Sequence, residues 1–512
     1  MNEIRLLELK SKTLEDTPEL MNSNYDMHDL EVRVVLKNCD IIDPEKLSHY
    51  VARDGYFGVS KALSMKPVEV IKIMKESGLR GRGGGGFPTG LKWEFAYKND
   101  SDQKYIICNA DEGDPGAFMD RSILEKDPHS VIEGMIIAGY SIGATKGYVY
   151  VRAEYPLAAR RIQKAIDDAM DNNILGENIF ESDFDFNIEI RLGAGAFVCG
   201  EETALIASIE GNRGMSKLKP PFPAKSGLYN KPTIINNVET LSNVPAIILK
   251  GSDWFRSFGT EKSPGTKVFA LAGKVKRSGL IEVPMGITLG DIIFKIGQGV
   301  GKKRTFKAVL TGGPSGGCLT KNHLDEIVDF DNLVRLGSMM GSGGMIVLDD
   351  HDCMVDIAKF YLDFMVDESC GKCTPCREGT IQMYHLLDKI TSGTGTIEDL
   401  DKLKKLAINV KDTSLCGLGI TAPNPVLSTL EHFYDEYLSH VTYKRCLSNV
   451  CKGLINEYII TDDCTGCTLC ARRCPVQCIS GTKKELHVID SSLCIKCGEC
   501  FASCNFDAII TN

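Results

Sequence analysis

The sequence predicts an α/β protein of several domains that ends in a small cysteine-rich unit. Its 512 residues would fill about three or four domains of ordinary size. Between Tyr56 and Thr240, glycine-rich turns alternate with short apolar runs, such as residues 104–108 (KYIIC), and with helical stretches such as residues 155–172. This alternation is typical of an α/β domain. The third observation is a pair of matching cysteine sets in the last sixty residues or so.

We divide the chain into five parts on these patterns. Residues 1–50 are a mixed, polar extension, and residues 51–242 form the α/β domain. Residues 243–335 carry short β-branched runs split by Gly and Pro and resemble a small β-grasp module. Amphipathic stretches predict a helical bundle over residues 336–440, and residues 441–512 hold a junction and the cysteine-rich unit.

The paired cysteine sets have the spacing of a two-cluster ferredoxin. In such a repeat the fourth cysteine of each set ligates the other cluster. We therefore assign one [4Fe–4S] cluster to Cys464, Cys467, Cys470 and Cys504, and the second to Cys494, Cys497, Cys500 and Cys474. A pair of zinc knuckles is the alternative, but zinc sites rarely use three cysteines at two-residue gaps twice over.

A third cluster site is predicted in the helical bundle. Cys370, Cys373 and Cys376 stand at two-residue gaps, and Cys416 supplies a fourth thiolate forty residues on. Three close ligands and a remote one suit a [4Fe–4S] cluster. Structural zinc is the alternative for this set.

The remaining cysteines near the junction suggest a zinc site. Cys446, Cys451 and Cys478, together with His440 or with His432 as the alternative, would form a Cys3His set suited to tetrahedral zinc. Scattered buried thiols are the alternative. Five further cysteines lack any partner spacing, and most of them are expected to be small buried hydrophobes: Cys39, Cys108, Cys199, Cys318 and Cys353.

Composition excludes several classes of protein. A net charge of −9 argues against nucleic acid as a partner, because phosphate binding needs a basic face. No apolar run is long enough for a transmembrane helix, and the first residues (MNEIRLLELKSK) lack a signal core. Disulfide frameworks belong to short secreted chains, so cysteines at cluster spacing predict a reducing, cytoplasmic setting.

A glycine-rich loop is the first candidate for a cofactor site. Residues 81–90 (GRGGGGFPTG) allow close approach of backbone N–H groups to a phosphate or a flat ring. Arg82, Phe87 and Pro88 interrupt the loop, which argues against a flexible linker. The G-x-G-x-x-G dinucleotide pattern does not apply, because no buried strand precedes the loop.

Two acidic clusters share this character. Asn109, Asp111, Glu112 and Asp114 follow an apolar strand, so they would emerge where α/β proteins bind ligands. Gly200, Glu201 and Glu202 open an apolar helix. Helix capping by these acids is the alternative explanation, but the flanking glycines favour a ligand.

Together with residues 77–80 (SGLR), 219–224 (KPPFPA) and 236–240 (NNVET), these motifs resemble the NADH-oxidising flavoprotein subunit of respiratory complex I over about residues 35–435. The added ferredoxin unit resembles the diaphorase subunits of soluble NAD-linked, often electron-bifurcating, hydrogenases and formate dehydrogenases. The resemblance implies a Rossmann-like domain that binds FMN and NAD(H). Its implied FMN contacts are Gly81, Arg82, Gly83, Lys92, Asn109, Asp111, Glu112, Gly200, Glu201, Asn236, Asn237 and Thr240.

The resemblance also implies the nicotinamide site. Aromatic stacking would come from Phe87, Phe95 and Phe222, with Lys92, Lys219 and Glu202 as polar neighbours. The chain departs from the family pattern at Gly85, where alanine is usual, at Phe197, where tyrosine is common, and at Asp114, where complex I usually has glutamate. The shorter acid leaves more room over the nucleotide.

The predicted function is hydride exchange between NAD(H) and FMN, without an acid–base residue, followed by one-electron relay through the clusters. The expected partners are a [2Fe–2S] subunit, a hydrogenase, formate dehydrogenase or NADP-linked catalytic subunit in a hetero-oligomer, and ferredoxin. The chain would serve either an ordinary relay or a bifurcating circuit. The alternatives are a subunit of a membrane-associated complex I-like enzyme and a non-catalytic cluster scaffold.

Overall fold

The first domain is built around a four-stranded parallel sheet with strand order β3-β2-β1-β4. The computed structural model describes residues 1–21, 27–455 and 457–511. The strands are β1 (Tyr105–Ala110), β2 (Lys146–Arg152), β3 (Asn187–Gly193) and β4 (Thr233–Asn237). The chain builds outward from β1 to β3 and then places β4 on the other side of β1. The order therefore reverses between β1 and β4, and ligands of α/β proteins bind at such a reversal, beyond the carboxyl ends of the strands.

Helices cover both faces of this sheet. They are α1 (Glu3–Asp16), α2 (Leu47–Ala52), α3 (Phe57–Leu63), α4 (Pro67–Ser77), α5 (Thr89–Tyr97), α6 (Met119–Lys126), α7 (Pro128–Ile142), α8 (Pro156–Asp171), α9 (Glu202–Ile209), α10 (Val238–Lys250) and α11 (Ser252–Arg256). Every residue of α7 except Tyr140 is buried, because this helix packs against α10 as well as β1 and β2. The helix α10 runs across the predicted domain boundary at residue 242.

The described part of the N-terminal extension belongs to the same core. Leu6 and Leu20 are buried in the apolar cluster that includes Val131 and Val149. The helix α1 packs on α2. Residues 22–26 of the extension lie outside the described residues.

A five-stranded mixed sheet follows. Its order is β6-β5-β9-β7-β8, formed by β5 (Thr266–Gly273), β6 (Gly279–Pro284), β7 (Phe306–Thr311), β8 (Gly317–Thr320) and β9 (Gly344–Asp349). The central pair β5 and β9 is parallel, and each is flanked by an antiparallel neighbour, as expected of a β-grasp module. A π-helical turn (Asp291–Ile296) and α12 (Phe330–Arg335) complete it. Since β9 lies at the centre of the sheet, the module extends beyond the predicted limit at residue 335.

The helical bundle packs α13 (Met354–Asp367), α14 (Thr374–Thr391), α15 (Ile397–Thr413), α16 (Gly417–Thr421), α17 (Asn424–His432) and α18 (Tyr434–Thr442). Its core contains Leu362, Met383, Leu403 and Val426. None of the helices in the described ranges is long and apolar enough to cross a membrane.

The C-terminal unit has an internal repeat. The strands β10 (Tyr458–Ile460) and β13 (Ile509–Thr511) pair antiparallel, and so do β11 (Ile479–Ser480) and β12 (Val488–Ile489). The helices α19 (Leu469–Arg473) and α20 (Glu499–Ser503) pack against each other. The helix α19 contains Cys470, the third cysteine of its set, and ends just before the fourth, Cys474. In the same way, α20 contains Cys500 and ends just before Cys504.

Candidate cofactor and cluster sites

A cavity of about 480 Å³ lies beyond the carboxyl ends of β1 and β4. This volume falls in the usual range for small-molecule sites. The sequence-predicted residues that line it are Gly81, Gly83, Phe87, Lys92, Asn109, Asp111, Glu112, Asp114, Gly200, Glu201, Glu202, Lys219, Asn236, Asn237 and Thr240. The structure thus brings together the glycine loop, both acidic clusters and the end of β4 in one cavity.

The glycine loop passes very close to the end of β4. A Cβ atom built on Gly83 would lie 2.9 Å from the Cβ of Asn237, so a side chain has no room there. Gly84 has a φ of +114°, which strongly favours glycine. At Gly85, by contrast, an added Cβ would meet no atom within 4 Å, so the alanine common in the family would also fit.

Arg82 does not line the cavity, although it was predicted as an FMN contact. Its side chain is completely buried, and its guanidinium donates to the carbonyl oxygens of Thr266 (3.0 Å), Pro264 (2.7 Å) and Arg80 (3.1 Å). Its backbone N–H donates to the Oγ1 of Thr240 at 2.8 Å. Burial lowers the pKa of Arg82 to about 10. The role of Arg82 is therefore to fasten the glycine loop to the start of β5.

Asp111 is the clearest sign of a bound ligand. Its side chain is fully buried in the cavity wall, and neither carboxylate oxygen has a hydrogen-bond partner. The nearest cation, the Nη1 of Arg152, is 3.9 Å away. Burial raises the pKa of Asp111 to about 7. A buried acceptor without a donor is costly, so this site fits a ligand that donates hydrogen bonds, as the ring N–H and the ribityl hydroxyls of FMN do.

Glu112 and Asp120 line the cavity together with Asp111. Glu112 accepts hydrogen bonds from the backbone N–H groups of Asp120 and Arg121, both at 3.1 Å, and so holds the first turn of α6. The Nδ2 of Asn237 donates to Asp120 at 2.5 Å. Asp120 was not predicted from the sequence, because it looks like an ordinary helix-start acid until the fold places it against β4.

The second module also contributes to the cavity. The Oγ of Ser342 donates to Asp114 at 2.5 Å, and burial raises the pKa of Asp114 to about 6. Gly312, Ser315, Met339 and Gly341 of this module also line the cavity. These residues carry no motif, and only the packing of the β-grasp module on the first domain could reveal them.

Two lysines and two glutamates form an ion-pair network at the cavity wall. The Nζ of Lys219 lies 2.5 Å from Glu202 and 3.0 Å from Glu201, and the Nζ of Lys92 lies 3.3 Å from Glu202. Burial opposes ionisation of Glu202, but the two lysines lower its pKa overall. Glu201 also caps α9, accepting from the backbone N–H groups of Thr203 and Ala204. Glu201 therefore caps this helix and also lines the cavity.

The three predicted stacking residues are not equivalent. Phe87 lines the cavity, whereas Phe95 and Phe222 do not, and they are 46% and 59% exposed. The Phe95 ring stands 6.4 Å from that of Phe87, so it extends the aromatic surface outward. Phe197 lines the cavity in place of the family's tyrosine and packs edge-on against Phe364 at 5.5 Å.

The predicted cluster cysteines of the bundle converge beside this cavity. Cys370, Cys373, Cys376 and Cys416 belong to one apolar cluster with Leu418. Cys373 and Cys416 directly precede α14 and α16, and the Oγ of Ser369 lies 3.2 Å from the Sγ of Cys376. Gly417 and Leu418, the two residues after Cys416, line the cavity beyond β1 and β4. The two sites therefore share a wall.

The C-terminal cysteines surround two separate small cavities. Cys464, Cys467, Cys470 and Cys504 line one, and Cys474, Cys494, Cys497 and Cys500 line the other. Each of these two ligand sets thus takes three thiols from one half of the repeat and one from the other half. Four thiols around a small cavity suit the ligand requirement of a [4Fe–4S] cluster.

The Cys/His set at the junction differs from the prediction in one member. Cys353, His440, Cys446 and Cys451 are all buried, and their ligand atoms lie within 4.8 Å of one another. Cys478 is not among them, because it lines the second cluster cavity, with its Sγ 3.4 Å from that of Cys474. Cys353, predicted as an isolated buried thiol, takes its place at the start of α13.

His440 is well oriented for ligation. Its Nδ1 lies 2.7 Å from the carbonyl oxygen of Glu436, which leaves Nε2 facing Cys451 at 3.3 Å and Cys353 at 3.4 Å. Such a second contact commonly fixes the tautomer of a ligand histidine. His432 lies elsewhere, against His323.

Comparisons with known proteins agree with this architecture. Residues 74–246 match the family model of the Nuo51 FMN-binding domain, and residues 356–440 match the NADH-ubiquinone oxidoreductase-F iron–sulfur binding region. The chain is 60% identical over 480 residues to the NADP-reducing hydrogenase subunit HndC of Solidesulfovibrio fructosivorans, covering 94% of this chain and 98% of that protein. It is 47% identical over 414 residues to the F 2 subunit of NADH-quinone oxidoreductase of Rhizobium meliloti (strain 1021), covering 81% and 98%.

A solved structure shows the same fold. A chain of an NAD⁺-reducing [NiFe]-hydrogenase in the H2-reduced state matches with a TM-score of 0.71 and 34% identity, over 80% of this chain and 67% of that chain. These similarities extend across the cavity and the bundle cysteines described above. The chain therefore belongs to the family of the F subunits of NADH-quinone oxidoreductases and their hydrogenase counterparts, which are FMN-binding oxidoreductase subunits with an iron–sulfur region.

Proposed function

We propose that the chain exchanges a hydride with NAD(H) at FMN and passes single electrons through the Cys370 site to the C-terminal unit. The observation that carries this proposal is the wall shared by the two sites, where Gly417 and Leu418 follow a cluster cysteine and line the cavity. Bound FMN would supply the conversion between two-electron and one-electron transfer. Because the two sites share this wall, the distance between them is short, which favours electron transfer from the cavity to the Cys370 site.

The chain's own residues would bind and orient both nucleotides. Asp111 offers two free acceptor oxygens to the flavin, and the glycine loop lets its backbone approach closely. Phe87 offers a stacking surface. Lys92 and Lys219, which both pair with Glu202, would bind anionic groups of the nucleotides. Hydride transfer needs orientation and exclusion of water, and we assign no acid–base residue.

Anaerobic addition of NADH to the purified, FMN-loaded protein tests this function. We expect the flavin absorbance to bleach and cluster signals to appear in electron paramagnetic resonance spectra. A flavin that stays oxidised would reject the enzyme function and favour a non-catalytic cluster scaffold. Bleaching without any reduced cluster would reject the relay.

We infer that an acidic ferredoxin docks beside the second cluster site. A cleft of about 710 Å³ between the β-grasp module and the C-terminal unit is lined by Cys497 and by Lys274, Lys276, Lys302, Arg304, Lys452 and Lys496. Its acidic lining residues are Asp349 and Glu499. The excess of positive charge beside a cluster thiol suits an acidic one-electron carrier.

Charge reversal tests this docking site. The double variant Lys276→Glu/Lys302→Glu should reduce ferredoxin more slowly than the wild type at low salt. The rate should also depend less on salt concentration. Lys404→Glu/Lys405→Glu on α15 changes the charge equally outside the cleft and should leave the rate unchanged. Equal rates for both double variants would reject the cleft as the docking site.

We place the protein in a hetero-oligomer, because its relatives are hydrogenase and NADH-quinone oxidoreductase subunits. Its partners would be a [2Fe–2S] subunit and a catalytic subunit of the hydrogenase, formate dehydrogenase or NADP-linked type. The relative named as an NADP-reducing hydrogenase subunit favours the first and third of these. None of the twenty cysteines is in a disulfide, which supports a reducing, cytoplasmic location.

We further propose that Cys353, His440, Cys446 and Cys451 hold a zinc ion. The set offers three thiols and one imidazole, all buried, which is the ligand class of structural zinc sites. It joins the start of α13 to the end of α18 and to the segment that leads into the C-terminal unit. Zinc would fix that segment to the bundle.

A further inference from the structure

The second cluster cavity contains one thiol more than a cluster needs. Cys474, Cys494, Cys497 and Cys500 line it, and Cys478 lines it with them. Cys478 is buried, and its Sγ lies 3.4 Å from the Sγ of Cys474. Four thiolates complete a [4Fe–4S] cluster, so the fifth thiol has no place in the ordinary ligand set.

The other half of the repeat shows that the fold does not require this thiol. Cys478 follows Cys474 by four residues, and Ala508 follows Cys504 by the same interval. Ala508 lines the first cluster cavity, at the position that corresponds to Cys478. The same local structure is therefore built with a methyl group in one half and with a thiol in the other.

The geometry allows the two thiols to exchange roles. Both sit on one short loop, and the backbone N–H of Cys478 points at the Sγ of Cys474, 3.4 Å away. Both sulfur atoms face the same cavity, so either one can complete the set formed by the three cysteines of the other half.

We propose that Cys478 is a reserve ligand of the second cluster, able to replace Cys474. This inference rests on the proposed presence of a [4Fe–4S] cluster in that cavity. In the exchange, the bond from iron to the sulfur of Cys474 breaks and a bond to the sulfur of Cys478 forms. The proton of the Cys478 thiol moves to the released Cys474 thiolate, and no oxidation state changes. The cluster beside the basic cleft would thus survive the loss of one ligand.

The test measures iron, acid-labile sulfide and the electron paramagnetic resonance spectrum of the dithionite-reduced full chain after anaerobic reconstitution. The wild type should hold about twelve iron atoms, from three four-iron clusters. Cys474→Ala and Cys478→Ala should each keep this content, whereas Cys474→Ala/Cys478→Ala should lose about four iron atoms. A loss in Cys474→Ala as large as that in the double variant would overturn the proposal.

The first cluster provides the matched control. Cys504→Ala should lose about four iron atoms, because Ala508 cannot ligate, and Cys504→Ala/Ala508→Cys should recover them. Full iron content in Cys504→Ala would show that a cluster survives without a spare thiol, which overturns the role of Cys478. FMN content and its bleaching by NADH report folding independently. A wild-type chain with only about four or eight iron atoms would instead contradict the proposed cluster content.

Discussion

The Nζ of Lys267 lies 2.5 Å from the Oε2 of Glu239, and the two side chains are 0% and 1% exposed. Glu239 is in the first turn of α10, beside Thr240 of the cavity, and Lys267 is on β5. The other carboxylate oxygen of Glu239 accepts from the backbone N–H of Val268, and Lys267 also donates to the carbonyl of Ser342 at 2.6 Å. This buried ion pair therefore joins the first domain to the β-grasp module at the cavity that both of them line.

Breaking this pair should weaken the domain contact. Glu239→Gln leaves the Lys267 ammonium buried without a counter-charge, and we expect a loss of about 3–5 kcal/mol in the stability of this region. We therefore expect Glu239→Gln to unfold at a lower temperature than the wild type, with the release of flavin as the measured signal. Glu177→Gln, at an exposed position, is the control. An unchanged release temperature for Glu239→Gln would show that the pair contributes little.

Substitutions of Arg82 and Lys92 should distinguish a loss of protein stability from a loss of cofactor binding. Arg82→Ala removes three hydrogen bonds to backbone carbonyl oxygens, so both the unfolding temperature and the FMN content should fall. Lys92→Ala removes a partly exposed cavity cation, so FMN or NADH affinity should fall with little change in unfolding temperature. Calorimetry and flavin quantification distinguish the two effects. A stable Arg82→Ala protein that lacks FMN would instead indicate direct contact with the cofactor.

The sequence was most informative where ligands are close together along the chain. The cysteine spacings and the glycine loop can be recognised from adjacent positions, and the structure places these residues around common cavities. Long-range relationships were less accessible. Cys353 joins His440 across 87 positions, and no local pattern marks such a pair.

The other differences between prediction and structure also arise from contacts between residues that are far apart along the chain. Arg82 stands among cavity-lining glycines, and only the packing of β5 shows that its side chain turns away. Ser342 and Met339 come from a different module and have no motif. The β-grasp boundary was placed too early because β9 returns to the centre of the sheet only after residue 335.

Cys416→Ala should separate flavin reduction from electron delivery. The residue belongs to the bundle cluster set, while Gly417 and Leu418 next to it form part of the cavity wall. We expect NADH still to bleach the flavin, while reduction of ferredoxin by the C-terminal unit falls at least about tenfold, as a lost relay step would require. Rapid-mixing absorbance measurements follow both events. Unchanged delivery would contradict the route through this cluster.

The zinc proposal predicts different results for two cysteines. Cys353→Ser should reduce zinc below one ion per chain, because it removes a ligand of the buried set. Cys478→Ser should leave zinc unchanged, since Cys478 lines the second cluster cavity. Metal analysis after chelator dialysis measures both. Zinc loss in Cys478→Ser but not in Cys353→Ser would restore the set expected from sequence.

The FMN-free protein should become less stable as the pH rises from about 4 to about 7. Burial raises the pKa of Asp111 to about 7 and that of Asp114 to about 6, both above the ordinary value of 3.8. A group whose pKa is raised by folding stabilises the folded state at low pH, and this contribution is lost as the pH rises through its folded pKa. The change in unfolding temperature between about pH 5.5 and pH 8 should therefore be smaller in Asp111→Asn than in the wild type. Comparing the two proteins cancels the opposite effect of His129, whose pKa burial lowers to about 3. Identical pH profiles would show that Asp111 finds a compensating partner in solution.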